Sequence, residues 1–234
     1  MVATDMSEQV SERVRSYQEN GYLVLEGIFS HDECDRLLTI FEEHANPPDM
    51  AAILNLDRTE PDVRAVMTDR KVVDPVETLQ KAPVVGLMSQ VLFKAAGTRY
   101  ASQAWQPHQD NSYAQAKPGA YITTNIFLAD AGPENGGLFL YPSSHLEGLL
   151  PFHPAVSYRE TRNHPGNRVE VPEDWKSLDL HVKKGDLLVL HGCVVHGSYP
   201  NLSERDRPLF QITYIKRGYD FVSGKNANRQ VIEL

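Results

Sequence analysis

The spacing of apolar residues changes partway along this chain. Up to about residue 97 they recur every three or four positions, as on a helix face; from residue 98 they alternate or run in short β-prone blocks. Glu12 to Asn20 is a polar helical stretch, and Tyr22-Leu23-Val24-Leu25 after Gly21 is a short strand candidate. Ser30-His31-Asp32-Glu33 has the form of a capping box, with Phe29 placed to staple against Cys34. Cys34, Leu37, Leu38 and Phe41 give the helix that follows its apolar face, and Asn46-Pro47-Pro48 ends it. Residues 47–75 show little period. Val76, Leu79, Val84, Leu87, Met88, Val91 and Leu92 repeat at helical spacing up to Gly97, which predicts helix within residues 76–96.

The second half predicts about seven strands separated by Gly and Pro turns. They are Tyr100 to His108, Tyr121 to Leu128, Leu138 to Tyr141, Leu178 to Val182, Asp186 to Leu190, Val194 to His196 and Leu209 to Lys216. Helices gathered before strands indicate an antiparallel double sheet with a helical layer, and a jelly roll is the natural candidate. The chain is expected to form one domain over residues 1–234, with a helical layer to about 97 and a β core from about 98 to 217. Residues 149–177 form the longest irregular stretch, and a lid facing the substrate is the expectation there.

Composition narrows the picture. Hydrophobic residues make up 41% of the 234, with ten Tyr and eight Phe, enough for a sizeable core. The net charge of −8 gives no broad basic field for nucleic acid, and it makes a poor surface for a strongly anionic carrier such as coenzyme A. Cys34 and Cys193 fall in a helical and a strand pattern, so buried thiols and a reducing cytoplasmic setting are expected. No apolar leader opens the sequence, and no apolar run is long enough to span a bilayer. The sequon Asn201-Leu202-Ser203 is a chance match in a cytoplasmic protein.

The candidate chemistry lies in His108-Gln109-Asp110, His196 and Arg207. Two histidines and one carboxylate make the facial triad of non-haem Fe(II) oxygenases, which leaves positions open for co-substrate and O2. On an extended strand His108 and Asp110 point to the same side and can share one metal. His196 is expected as the third ligand because Arg207 follows on what looks like the neighbouring strand of one sheet. His191 and His181 compete for that role. A rival pair, His145-Leu146-Glu147, follows a turn rather than a strand. Arg207 suits a dicarboxylate such as 2-oxoglutarate, since a guanidinium forks onto a carboxylate; Arg205 is its nearest substitute.

The stretch Trp105-Gln106-Pro107-His108-Gln109-Asp110 resembles the phytanoyl-CoA hydroxylase-like family. So do Gly132-Pro133-Glu134-Asn135-Gly136-Gly137-Leu138, Tyr141-Pro142-Ser143-Ser144-His145 and His196-Gly197-Ser198 with Arg207. The opening Asn20-Gly21-Tyr22-Leu23-Val24-Leu25 and Ser30-His31-Asp32-Glu33-Cys34 is similar too, so the resemblance runs from about residue 15 to about residue 216. It implies a double-stranded β-helix of the cupin-like, jelly-roll kind, holding Fe(II) and 2-oxoglutarate and using O2. By matched positions, His108, Asp110 and His196 would bind iron. Arg207 and Ser198 would hold the distal carboxylate of 2-oxoglutarate, and Gln109 would reach the co-substrate. Ser143 stands where the family has glycine, a position that favours positive φ. His145 is expected to be structural.

The expected reaction is hydroxylation of an unactivated carbon of a small soluble metabolite, with succinate and CO2 released; an intact Asp110 argues against halogenation. Desaturation, cyclisation and epimerisation remain compatible. Asn111 and Tyr113, next to the ligand pair, and Arg159 and Arg162, on the lid segment, are candidate substrate contacts. Two other readings stay open: a jelly-roll binding protein without turnover, and a zinc or manganese cupin-type isomerase or hydrolase. The substrate and the oligomeric state have no signature in the chain. The polar stretch Gly224-Lys225-Asn226-Ala227-Asn228-Arg229 is expected to be a surface or subunit-contact tail.

Overall fold

A computed structural model describes residues 2–45, 52–155, 166–225 and 227–234. The first part of the chain runs α1 (Val2–Asn20), β1 (Tyr22–Leu25), α2 (His31–His44), β2 (Ala52–Leu54), α3 (Pro61–Thr68), α4 (Arg70–Gln80) and β3 (Val84–Lys94). It continues through β4 (Trp105–His108), α5 (Asn111–Ala114), β5 (Tyr121–Phe127), β6 (Leu138–Tyr141), β7 (Phe152–Pro154) and β8 (Asn167–Val169). The last strands are β9 (Leu178–Asp179), β10 (Leu187–His191), β11 (Val195–Ser198) and β12 (Arg207–Lys216).

A six-stranded sheet in the order β1-β10-β5-β12-β3-β2 faces a four-stranded sheet in the order β4-β11-β6-β9. All pairings in both are antiparallel, as a jelly roll requires. Alternation along the strands of the large sheet divides two cores. Leu187 and Val189, Ile122 and Ile126, and Phe210, Ile212 and Tyr214 point outward. There they pack on Cys34, Leu37 and Phe41 of α2 and on the apolar faces of α3 and α4. Leu188, Leu190, Phe127 and Leu209 point inward, against Leu138 and Leu140 of the smaller sheet. Both faces of the large sheet are therefore covered, and β5 is buried along its whole length.

The capping box forms as expected. Glu33 N–H donates to Ser30 Oγ at 3.2 Å, and Ser30 N–H donates to Glu33 Oε2 at 2.8 Å. Phe29 and Cys34 are buried in the same cluster. Asn46-Pro47-Pro48 lies outside the described residues. Ser143 does adopt a positive φ, 66°. Two bonds to the end of α1 hold it there: its N–H donates to Asn20 O at 3.0 Å and its hydroxyl to Glu19 O at 2.8 Å.

Three expectations are corrected. The predicted helix ends at Gln80, and Val84 to Lys94 is an eleven-residue strand inside the large sheet. Its helical spacing has two causes. A register shift opposite Thr213 and Tyr214 makes Leu87 an extra residue, so Leu87 and Met88 stand together. Its polar positions are also bonded within the protein: buried Ser89 bonds Asp57 at 2.5 Å and half-buried Gln90 bonds Gln211. Second, Tyr100 to Gln103 is turn, and the strand of the ligand motif begins only at Trp105. Third, residues 149–177 contain a small ribbon, β7 paired with β8, packed at its base against the β4 side of the barrel.

Candidate metal centre

β4 and β11 are hydrogen-bonded neighbours, with His108 directly opposite His196. Their rings stand 4.4 Å apart, centroid to centroid. Asp110 Oδ1 lies 3.6 Å from His108 Nε2 and 3.7 Å from His196 Nε2. All three residues are buried, and their ligand atoms lie within 4.8 Å of one another, within reach of one ion. Other expected competitors are placed elsewhere. His145 Nε2 bonds Gln18 O at 3.1 Å, Glu147 is exposed, His191 accepts from Cys193 N–H at 3.1 Å, and His181 is exposed.

The surroundings prepare these atoms for a cation. His108 Nδ1 lies 2.8 Å from Gln106 O and His196 Nδ1 lies 3.1 Å from Val194 O. A ring nitrogen facing a carbonyl carries the proton, which leaves both Nε2 lone pairs directed at Asp110. Asp110 Oδ2 is tied back by the Thr123 hydroxyl at 2.8 Å and the Gln211 amide at 3.4 Å, so Oδ1 is the free ligand atom. Burial works against the Asp110 charge, but His196, His108 and the Thr123 hydroxyl outweigh it and hold the carboxyl well below the usual carboxylate range. Burial pushes His196 down to about 4, against the pull of Asp110. At neutral pH both are already in the metal-binding form.

The chain leaves the strand at His108, and Asp110 sits at the entry to α5 with helical φ and ψ. Strand alternation does not operate here: a turn at Gln109 brings Asp110 round to His108. Gln109 is fully buried and points away from the centre. Its amide donates to Gly148 O at 2.8 Å and Cys193 O at 2.6 Å, and its oxygen accepts from Leu150 N–H at 2.8 Å. With every polar atom bonded to backbone, it has none left for a co-substrate, so that expectation is corrected. Gln109→Ala is expected to cost about 2–4 kcal/mol of stability through the groups left unpaired. Affinity for 2-oxoglutarate should be unchanged; urea unfolding beside a co-substrate titration checks both.

Asn111 is corrected in the same way. It closes its own loop through Ala116 N–H at 3.0 Å and Ala116 O at 2.8 Å. Tyr113 does lie at the centre. Its ring is 6.2 Å from that of His108, edge on, and its hydroxyl accepts from Asn167 N–H at 2.9 Å. Arg159 and Arg162 lie outside the described residues.

Arg207 does not sit beside His196 in one sheet. It opens β12 of the large sheet, and His196 belongs to the small one. The two face each other across the barrel interior, a better geometry for holding one ligand between them. Arg207 is buried, with Nε donating to Gly136 O at 3.0 Å and Nη1 without a partner. Ser198 shares the His196 face of β11, and its buried Oγ also lacks a partner. Two residues along a strand is ~6.8 Å, a span that a five-carbon dicarboxylate bridges. A buried guanidinium nitrogen and a buried hydroxyl, each without a partner, fit a carboxylate. Arg205 instead makes an exposed pair with Glu134 at 2.9 Å.

Lys94 and Gln211 were not visible as site residues. Lys94 is fully buried opposite Arg207 in the β3–β12 register, and donates to Gln103 O at 3.1 Å and to Tyr199 O. Only the strand pairing brings these two cations together. Gln211 carried a signal, being polar at the inward spacing of Arg207 and Leu209 within a β-prone run. Burial and the neighbouring Arg207 push the Lys94 ammonium down to about 6. Unfolded, this lysine holds its proton to its ordinary value of about 10.4. The unfolded chain then binds more protons between these values, so stability of the ligand-free protein should rise with pH through that window and be lowest below pH 6. Thermal unfolding against pH, beside a Lys94→Met variant with a flatter profile, checks the sign.

A jelly roll carrying a histidine–carboxylate–histidine cluster opposite a buried arginine defines a class, the double-stranded β-helix with a metal-binding interior. The Phytanoyl-CoA dioxygenase (PhyH) family matches residues 17–209, and the chain belongs to that family. Phytanoyl-CoA dioxygenase 1 of Oryza sativa subsp. japonica is 33% identical over a match covering 54% of this chain and 43% of that protein. For the Arabidopsis thaliana phytanoyl-CoA dioxygenase the match covers 46% of the relative, so this chain spans under half of either plant protein. Phytanoyl-CoA dioxygenase domain-containing protein 1 of Rattus norvegicus is 25% identical, with 85% of this chain and 87% of that protein covered. Among solved structures, the non-heme alpha ketoglutarate dependent epimerase SnoN from nogalamycin biosynthesis superposes with a TM-score of 0.77 at 17% identity, covering 94% and 88% of the two chains. HygX from Streptomyces hygroscopicus, with nickel and 2-oxoglutarate bound, gives 0.68 at 17% identity, covering 95% and 94%. At these identities the structural likeness speaks for the fold.

Proposed function

We propose that this chain is an Fe(II)- and 2-oxoglutarate-dependent dioxygenase that hydroxylates an unactivated carbon of a small metabolite. The observation that carries the reading is a buried interior that offers three ligand atoms for a metal and, for a carboxylate, the unpartnered Arg207 Nη1 and Ser198 Oγ. Family membership and the Fe3+, alpha ketoglutarate complex of SnoN support the same cofactor set. When bound, Fe(II) with 2-oxoglutarate and O2 supplies the oxidising power, with succinate and CO2 as co-products.

This chain's residues do the positioning. His108, Asp110 and His196 would hold the metal on one side and leave the remaining positions open. Arg207 and Ser198 would fix the far carboxylate, with Lys94 beside Arg207 as a further nitrogen at that end. Phe127, Leu188, Leu209 and Leu140 line the interior with apolar surface that excludes water. Tyr113 and Trp105 flank His108 on the side where Gly166 approaches them, the natural seat for substrate. Both cysteines are free and buried, which fits a reducing compartment such as the cytoplasm. Among the described residues no helix is long and apolar enough to cross a membrane.

The test is succinate release from 2-oxoglutarate that requires both Fe(II) and O2. Activity that persists without O2, or with zinc in place of iron, would move the assignment to an isomerase or hydrolase. The outcome on the substrate needs its own measurement, because structural neighbours carry the names epimerase and carbocyclase. Hydroxylation places one oxygen from labelled O2 in the product; epimerisation and ring closure place none.

A further inference from the structure

A second buried arginine lies beside α5, the short helix that follows His108 and Asp110. Arg229 is 7% exposed, although it belongs to the polar C-terminal stretch expected to be a surface tail. That tail folds back along the barrel. Val222 N–H donates to Ala114 O at 2.7 Å, Gln230 N–H donates to Leu87 O at 3.2 Å, and Ile232 pairs with Gly86 at the edge of β3. The fold-back carries Arg229 beneath α5, the helix that begins at Asp110. Its Nη1 donates to Tyr113 O at 3.4 Å, Val222 O at 3.4 Å and Ser223 O at 3.2 Å, all long contacts to neutral acceptors. The Tyr121 phenol is a further neutral partner, and Nε is buried with none.

Among the described residues no carboxylate pairs with Arg229. A guanidinium stays charged in any protein, and burying it against neutral dipoles alone is costly. The same imbalance at Arg207 is what a 2-oxoglutarate carboxylate would relieve. Arg229 has different neighbours: it meets Tyr113 and Tyr121, whereas Arg207 meets Gly136 and Lys94. Tyr113 is the residue whose ring faces His108, and Tyr121 points inward one alternation from Thr123, the residue that holds Asp110. Tyr113 thus touches Arg229 through its carbonyl and His108 through its ring, so the guanidinium lies one residue's width from the ligand cluster.

We propose that Arg229 is the anchor for an anionic group on the substrate, and that this enzyme acts on small carboxylates, oxidising a carbon held over the metal while the carboxylate sits on Arg229. This rests on the oxygenase reading above. It also narrows the substrate class, because the overall charge of −8 would otherwise disfavour anions and a single buried cation overrides it locally.

The test starts with anaerobic enzyme loaded with Fe(II) and 2-oxoglutarate, as wild type, Arg229→Gln and Arg229→Lys. The visible charge-transfer band of the loaded centre reports on the oxygenase reading by itself and should be the same in all three; its absence from wild type would fail that reading and leave the Arg229 measurement intact. Phenylacetate, cyclohexanecarboxylate and 3-phenylpropanoate are then titrated by calorimetry, each beside its neutral amide. At least one carboxylate should bind wild type about tenfold or more tighter than its amide. Arg229→Gln should erase that preference, and Arg229→Lys should keep part of it. A purely structural arginine would weaken acid and amide alike. Wild type with no preference for any acid, or a preference that survives in Arg229→Gln, would overturn the proposal. Should Arg229→Gln fail to fold, a crystal of wild type soaked with the preferred acid decides: its carboxylate lies on the Arg229 guanidinium or the proposal is wrong.

Discussion

Asp110→Asn protein should fold, bind 2-oxoglutarate poorly and show no stabilisation by divalent metal. The substitution keeps shape and keeps an acceptor for the Thr123 hydroxyl, which lies 2.8 Å from Oδ2. It removes the one formal charge among the three ligand residues, and with it the reason a cation prefers this site. Metal at a hundred times its dissociation constant stabilises a folded protein by about 2.7 kcal/mol. For a chain of this size that is a rise of roughly 5–10 °C in melting temperature. Wild type titrated with Fe(II), or with Mn(II) in air, should show that rise; Asp110→Asn should show none. Succinate formation should fall by about a thousandfold or more, about 4 kcal/mol. A variant that still gained stability from metal would remove Asp110 from the ligand set.

How far the sequence announced all this depends on the kind of information each residue carries. The clustering of His108, Asp110 and His196 was legible because metal chemistry restricts residue type, and such residues are few and distinctive. The jelly roll was legible because turns punctuate the second half at short intervals. Three features were not. The helical spacing of Val84, Leu87, Met88, Val91 and Leu92 concealed β3, since a strand buried on both faces loses its polar–apolar alternation and the bulge at Leu87 breaks what remains. Gln109 looked like a site residue because it stands between two ligands; side chains either side of a turn diverge, and it serves the Gly148 and Cys193 carbonyls instead. Arg229 looked like tail because nothing local distinguishes a polar segment that folds back over a barrel from one that does not; the pairing of Ile232 with Gly86 decides it, and that is a long-range fact.

The arginine at the other end of the co-substrate site gives the second large effect. Arg207→Gln should raise the 2-oxoglutarate concentration needed for half-maximal activity by roughly 30-fold to several-thousandfold, the range for losing one partner of a buried charge pair at about 2–5 kcal/mol. The rate at saturation should change far less. Arg207 reaches Gly136 and the β12–β3 end of the interior, away from the proposed ligands on β4, its following turn and β11, so it would bind a distal carboxylate equally before and during reaction. Stability should move in an unusual direction. In the ligand-free protein Arg207 is a buried cation beside Lys94, whose ammonium is pushed down to about 6 by burial and by Arg207, and Arg207 itself is pushed down to about 10 by its burial. Removing Arg207 relieves the desolvation cost of its charge, offset by the lost bond to Gly136 O. Ligand-free Arg207→Gln should therefore melt within a few degrees of wild type or above it, while the stabilisation by added 2-oxoglutarate disappears. A variant that lost saturated rate and stability together, with half-saturation unchanged, would make Arg207 a structural arginine and leave the unpaired Ser198 hydroxyl without its explanation.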